Sequence, residues 1–179
     1  MKMLKKMLAV VLTGAMALTL FTACGSNAVR DKDIADALND IVKSSVAAGL
    51  TKDYTFKPRT DEQAMAKAIA ALSESDRHTT SGKDSEKVMK ILGLDESDAD
   101  EESRFVWWGA VFADEIGTAG QAYNVMDKIL SKDAVNADKL DGKEPGNIRY
   151  IGTALGTMTI PGGKQTTVRF IVVTAPVKG

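Results

Sequence analysis

The sequence predicts an α+β domain with helices on both faces of a small, mainly antiparallel sheet, a three-layer α-β-α sandwich. Three observations predict it. Apolar residues recur at helical spacing through the first half of the chain. Runs rich in β-branched and aromatic residues dominate the second half. The last two of these runs flank Pro161-Gly162-Gly163-Lys164, a turn that reads as the tip of a hairpin.

The elements follow in order. Residues 31–48 place Ile34, Leu38, Ile41, Val42 and Ser45 or Val46 on one helical face, and Gly49-Leu50 marks the stop. A second helix begins at Thr60, which has capping-box spacing to Gln63, and Pro58 lies just outside it. Its expected buried stripe is Met65, Ala68, Ile69 and Leu72. Residues 84–92 form a third, shorter helix with Val88, Ile91 and Leu92 inward, closed by Gly93-Leu94. Residues 95–102 are acidic but lack the central glycine and terminal ligand of an EF-hand, so they read as a solvated loop. Residues 104–113, RFVWWGAVFA, read as a buried strand. Residues 118–130 form a fourth helix with Ala122, Val125, Met126, Ile129 and Leu130 on its apolar side. Residues 140–147 carry Asp-Gly and Pro-Gly and form a loop. Strands over 148–160 and 165–174 complete the domain. In the last, both alternating sets are largely apolar, which implies cover on both faces.

The start of the chain sets the compartment. A basic Met1-Lys2-Met3-Leu4-Lys5-Lys6 precedes an apolar run from Leu8 to Phe21, which ends in Phe21-Thr22-Ala23-Cys24. That is the layout of a secretory signal peptide, and the run is short for a membrane span of about 20 residues. The small pair before the single cysteine resembles a bacterial lipobox, with Phe21 where Leu is usual. The resemblance implies cleavage before Cys24 and a diacylglycerol thioether on it. The expected organisation is a signal peptide over 1–23, a lipidated tether over 24–32 and one domain over 33–179. The expected location is the cell membrane, lipid-anchored and facing out of the cytoplasm, with palmitate-type acylation. Two acyl chains suffice for stable anchoring.

Cleavage leaves 156 of the 179 residues, enough for one full core. Lys2, Lys5 and Lys6 leave with the signal, so 23 basic residues become 20 against 24 acidic ones, a net charge of −4. No basic stripe remains to bind nucleic acid. With one cysteine there is no intramolecular disulfide.

The order of elements then resembles the CAP superfamily (cysteine-rich secretory proteins, antigen 5 and pathogenesis-related proteins, also called SCP domains), in a small bacterial form. The resemblance covers residues 33–174. Its marks are the Leu38-Asn39 pair in the first helix, EQAMAKAIAAL, then DRHTTSGKDSEKVMKILGL with His78, Thr79 and Gly82 in matching places. WWGAVFADEIG, GQAYNVMDKIL, SKDAVNADKL, IRYIGTALG and TTVRFIVV follow in family order. The family's cavity usually holds two histidines and one or two glutamates that bind a divalent metal. Here His78 is the only histidine, and the second histidine position falls near Ala134 or Val135. The glutamate position falls on Ala110 or Glu115, with Ala110 favoured because Gly109 lies within the strand pattern. Too few ligands remain for a transition metal, so neither metal nor cofactor is expected.

Candidate site residues are therefore few. His78 is a candidate general base, with Glu115 as a candidate carboxylate, against the plainer reading of a polar loop residue. Ser75, Asp76, Thr79, Thr80 and Ser81 are its sequence neighbours. Trp107 and Trp108 are candidates for binding a sugar or lipid. As adjacent strand residues they point to opposite faces and are not expected to line one pocket. Residues 152–156 and 162–163 are glycine-rich but do not match a phosphate-binding loop. Two functions are expected to compete: a non-catalytic lipoprotein binding a cell-wall, lipid or protein ligand, and an envelope hydrolase using His78.

Overall fold

The computed structural model describes residues 31–78, 83–95, 102–113 and 116–179. Helix α1 (Asp31–Ala47) buries Ile34, Ala35, Leu38, Val42 and Ser45 along one stripe. It stops where Gly49 takes φ +68°, and the amides of Gly49 and Leu50 donate to the carbonyls of Val46 and Ser45. That pairing satisfies carbonyls the helix leaves open, in a conformation glycine adopts at no steric cost. The helix starts at Asp31, as its apolar spacing predicts, so Asp31 and Lys32 belong to it although the expected tether of 24–32 also takes them in. Asp31 is fixed there by Gln63 and Thr153, whose side chains donate to its carboxylate.

Strand β1 (Thr55–Pro58) has no signal in the sequence, being four residues long and ending in proline. Tertiary partners make it a strand. It pairs with β3 (Ile148–Thr159), and the Asn39 side chain accepts from Phe56 N (2.7 Å) and donates to Phe56 O (3.0 Å). Helix α2 (Thr60–Ala71) begins at Arg59 with no side-chain cap, so the expected capping box is absent and Gln63 reaches Asp31 instead. Its buried face is Glu62, Ala66 and Ile69, and Ala68 is exposed. Met65 and Leu72 pack against the core beside Ile69, as expected, and Glu62 joins that side because it is drawn inward by Arg59 and by Thr174, whose hydroxyl donates to it at 2.6 Å.

Helix α3 (Glu74–Arg77) is one turn, and α4 (Glu86–Ile91) is capped by Ser85, whose hydroxyl accepts from Val88 N. Strand β2 (Arg104–Phe112) leads to α5 (Thr118–Asn124), which widens into a π-helical turn (Val125–Leu130). A 3₁₀ turn (Ala137–Leu140) precedes β3, and β4 (Gln165–Pro176) ends the fold.

The sheet order is β1-β3-β4-β2. β4 is antiparallel to both β2 and β3, and β1 is parallel to β3. The sheet is thus mainly antiparallel, as expected. One face carries Leu38 and Val42 of α1 and Val125 and Ile129 beyond α5, packed on Ile151, Ile171 and Val173. The other carries Ala66 and Ile69 of α2 and Val88 and Leu92 of α4, packed on Val106, Phe170 and Val172. The protein is an α+β fold in three layers. β4 is buried continuously from Val168 to Ala175, which explains its unbroken apolar run. Among the described residues no helix is long and apolar enough to cross a membrane.

Buried charges pin the layers together. Arg169 on β4, 3% exposed, donates to Gln121 Oε1 at 2.8 Å and Thr153 Oγ1 at 3.1 Å, and the Thr153 hydroxyl donates to Asp31. Burial lowers its guanidinium below the ordinary value, opposed by Asp31 and Asp33. Arg77 donates to the carbonyls of Ile69 (3.2 Å), Ala70 (3.1 Å) and Leu72 (2.8 Å), and of Thr157 across the sheet (3.3 Å). A cation there answers both the open carbonyls and the negative end of α2.

Candidate functional site

β2 is an edge strand, and a cleft of about 700 Å³ runs along it. Hydrogen bonding shows which groups face the cleft. In an antiparallel pair, alternate residues turn their N–H and C=O toward the partner strand and the others turn away. Ala113 N donates to Thr167 O, so the odd-numbered residues of β2 face β4. The even-numbered ones face outward. Val106 N donates to Asn136 Oδ1 (3.1 Å), Val106 O accepts from Val135 N (2.7 Å), and Arg104 O accepts from Asn136 Nδ2 (2.8 Å). The first half of the edge is therefore closed by Val135 and Asn136. The second half is open: the backbone groups of Trp108, Ala110 and Phe112 have no partner among the described residues. Phe112 is also 50% exposed.

The walls rise from both layers. Lys128, Ile129 and Lys132 stand on one side, His78, Asp84 and Met158 on the other. Gly109 lies on the floor between them. A Cβ there would meet Ile129 Cγ1 at 2.9 Å, so the π-helical turn approaches β2 closely only over glycine.

His78 lies in this cleft beside the strand that holds Gly109. Its ring stacks on Trp108 (5.5 Å between centres, 21° between planes), and its Nδ1 is 3.8 Å from Asp84 Oδ1. Trp108 Nε1 donates to the other Asp84 oxygen at 2.9 Å. The position of His78 comes from its neighbour: Arg77 is locked in the core, and the next residue emerges at the cleft wall. A bridge between His78 and Asp84 holds the two ends of that segment together.

Trp107 and Trp108 do point to opposite faces, one in each core cluster. Yet both line the cleft, against expectation. The reason is topological. At the edge of a sheet a groove wraps around the strand and reaches both faces, which an interior strand does not allow. Trp107 is 7% exposed and its Nε1 donates to Lys132 O at 3.2 Å, so it is mainly a core residue.

The remaining candidates are placed as follows. Ala110 lies in β2 and lines the cleft; Glu115 and Cys24 lie outside the described residues, as do Thr79, Thr80, Ser81 and most of the acidic run 95–102. Val135, at the second histidine position of the resemblance, is a wall residue, and Ala134 is buried. Ser75 bonds Ser73 (3.0 Å), Asp76 pairs with Lys87 (2.8 Å), and Ser85 bonds Asp76 O. None of these three side chains serves His78. Among the described residues no group of three or more His, Cys, Asp and Glu side chains is placed to hold a metal. Asp84 is the site residue that sequence reasoning missed. The signal was indirect: a half-buried tryptophan needs an acceptor for its indole N–H.

Chemically, the cleft offers a row of free backbone donors and acceptors, an apolar floor and a His-Asp pair at its mouth. Comparison of the chain with known protein families, curated proteins and solved structures yields no match.

Proposed function

We propose that this is a lipid-anchored, extracytoplasmic binding protein whose cleft takes an extended segment of a partner protein, added as a further strand along β2. One observation carries the reading: an open strand edge at the bottom of a walled groove. Proteins normally blunt exposed edges, and here the first half is blunted while the second is left open. Strand addition uses backbone hydrogen bonds for affinity and alternate side-chain pockets for selection, which fits this lining. A second copy of the chain fits less well, because two recessed edges cannot meet. The lipobox-like Phe21-Thr22-Ala23-Cys24 supports the anchor. The CAP-like order of elements supports a cavity protein that has shed its metal ligands. Asn39, half of the Leu-Asn pair in that resemblance, earns its place by holding β1.

Two experiments test this. Acyl labelling with fractionation addresses the anchor: Cys24→Ser is expected to abolish the label and release the protein or leave it as precursor, and an unlabelled, soluble wild type overturns it. For the cleft, an immobilised library of random heptapeptides is the probe. Ala110→Pro removes an outward N–H without touching the β4 ladder, so it is expected to keep the fold and lose peptide binding. Binding of glycan or lipid, with peptide ignored, overturns the strand-addition reading.

The His78 and Asp84 pair at the cleft mouth favours a second reading, an envelope hydrolase with His78 as general base. Turnover of a chromogenic ester by the wild type, lost in both His78→Ala and Asp84→Asn, would place this reading first.

A further inference from the structure

We propose that Arg149 anchors a separate site for a small oxyanion, a carboxylate or a phosphate, at the end of the sheet away from the β3-β4 turn. The proposal does not depend on the cleft. A cavity of about 250 Å³ lies between the segment after α1 and the segment before β3, lined by Tyr54, Lys52, Asp53, Glu144, Arg149 and Lys178 among others. The Arg149 guanidinium carbon lies 3.8 Å from the Tyr54 ring centre and 5.3 Å from that of Trp107. These aromatic rings fix the group by cation–π contact. Its Nε is buried with no hydrogen-bond partner, and the guanidinium makes no ion pair among the described residues.

That sets it apart from Arg59, Arg77 and Arg169, whose guanidinium groups are hydrogen-bonded to the chain. A guanidinium carries five donors, and leaving them unused in a partly buried place is costly unless something else accepts them. The surrounding charge points the same way. Lys52 (3.0 Å) and Lys178 (3.6 Å) both use the one carboxylate of Glu144, and among the described residues the only other acid in the lining is the exposed Asp53. Three cations thus face two carboxylates. A planar fork held against the Tyr54 ring matches the paired oxygens of a carboxylate or phosphate.

The test uses the full chain purified in detergent, titrated at constant ionic strength with sodium acetate, inorganic phosphate or dihexanoyl phosphatidylglycerol below its micelle concentration. Two readouts are taken: the thermal midpoint, which rises when a ligand binds only the folded state, and the NMR signal of the Arg149 Nε–H. At least one anion is expected to give a saturable response in both. Arg149→Lys, which keeps the charge and loses the fork, is expected to weaken it roughly ten- to hundredfold. A stronger response to the phospholipid than to phosphate identifies a lipid headgroup as the source, and the reverse identifies a free anion. Linear, unsaturable responses to all three overturn the proposal. So does a saturable response unchanged in Arg149→Gln. If that variant fails to fold, the wild-type Nε–H signal decides alone.

Discussion

Single side chains in this protein do structural work that their residue type hides. Arg77 is 4% exposed and its guanidinium reaches four carbonyls. Burial lowers its pKa, yet it stays charged at any ordinary pH. Arg77→Ala takes this donor from the carbonyls of Ala70, Leu72 and Thr157, while that of Ile69 keeps the Leu72 amide, and it opens a void under Phe170, whose ring lies 4.4 Å from the guanidinium carbon. A loss of about 2–3 kcal/mol is expected in urea unfolding. The His78 ring signals are expected to shift as well, because Arg77 fixes where the next residue emerges. A stable variant with an unchanged His78 environment would separate the two roles. Glu144 is a case of the opposite kind, wholly at the surface. Its carboxyl is held below the usual range by the hydrogen bond from Lys52, then by the charges of Lys52 and Lys178. A depressed folded-state pKa gives a contribution present above the usual glutamate range and lost as pH falls through the lowered value. Glu144→Gln is therefore expected to flatten the acid limb of the thermal midpoint against pH, slightly, and less at high salt.

At the level of elements, close approach is governed by glycine. A Cβ on Gly152 of β3 would sit 1.9 Å from Gln63 N and 2.1 Å from Glu62 C, both backbone atoms of α2. Neither can move without lifting the helix off the sheet and breaking the Glu62 and Thr174 contact. Gly152→Ala is expected to cost about 3 kcal/mol or to prevent folding, whereas Ala at the open Gly162 of the hairpin turn costs only its positive φ. Unfolding curves of the two variants side by side check this. The same region shows where sequence reading reaches its limit. α1 was legible because its apolar spacing follows the helical period and Gly49 marks its end, β2 because its run is aromatic and β-branched, and the terminal hairpin because Gly162-Gly163 separates two apolar runs. β1 was not, since four residues ending in proline carry no period. Glu62 on the buried side of α2 was not legible either, because a glutamate at an inward position reads as solvent-facing until its partner, 112 residues away, is known. His78 beside Gly109 was legible as a question. Asp84 and Arg149 were not, because their importance lies in what they touch or fail to touch.

For the molecule as a whole, β4 is the keystone. Among the described residues β2 pairs with β4 alone, and β3 pairs with β4 along most of its length. A chain ending after Lys164 keeps every helix and loses the strand that both core clusters share. It is expected to show no cooperative thermal transition, and a native-like melt would show that the helical layers hold without the sheet. The same arrangement bears on synthesis. Thr55 waits for Ile148, 93 positions later, and the central strand is the last to leave the ribosome. High contact order of this kind makes folding late and slow compared with helical bundles of similar size. The nascent chain is thus barred by its own topology from closing early. The export proposed above would profit from that delay: a translocation pore admits only an extended polypeptide, and the chain would stay threadable until its fourth strand had been made.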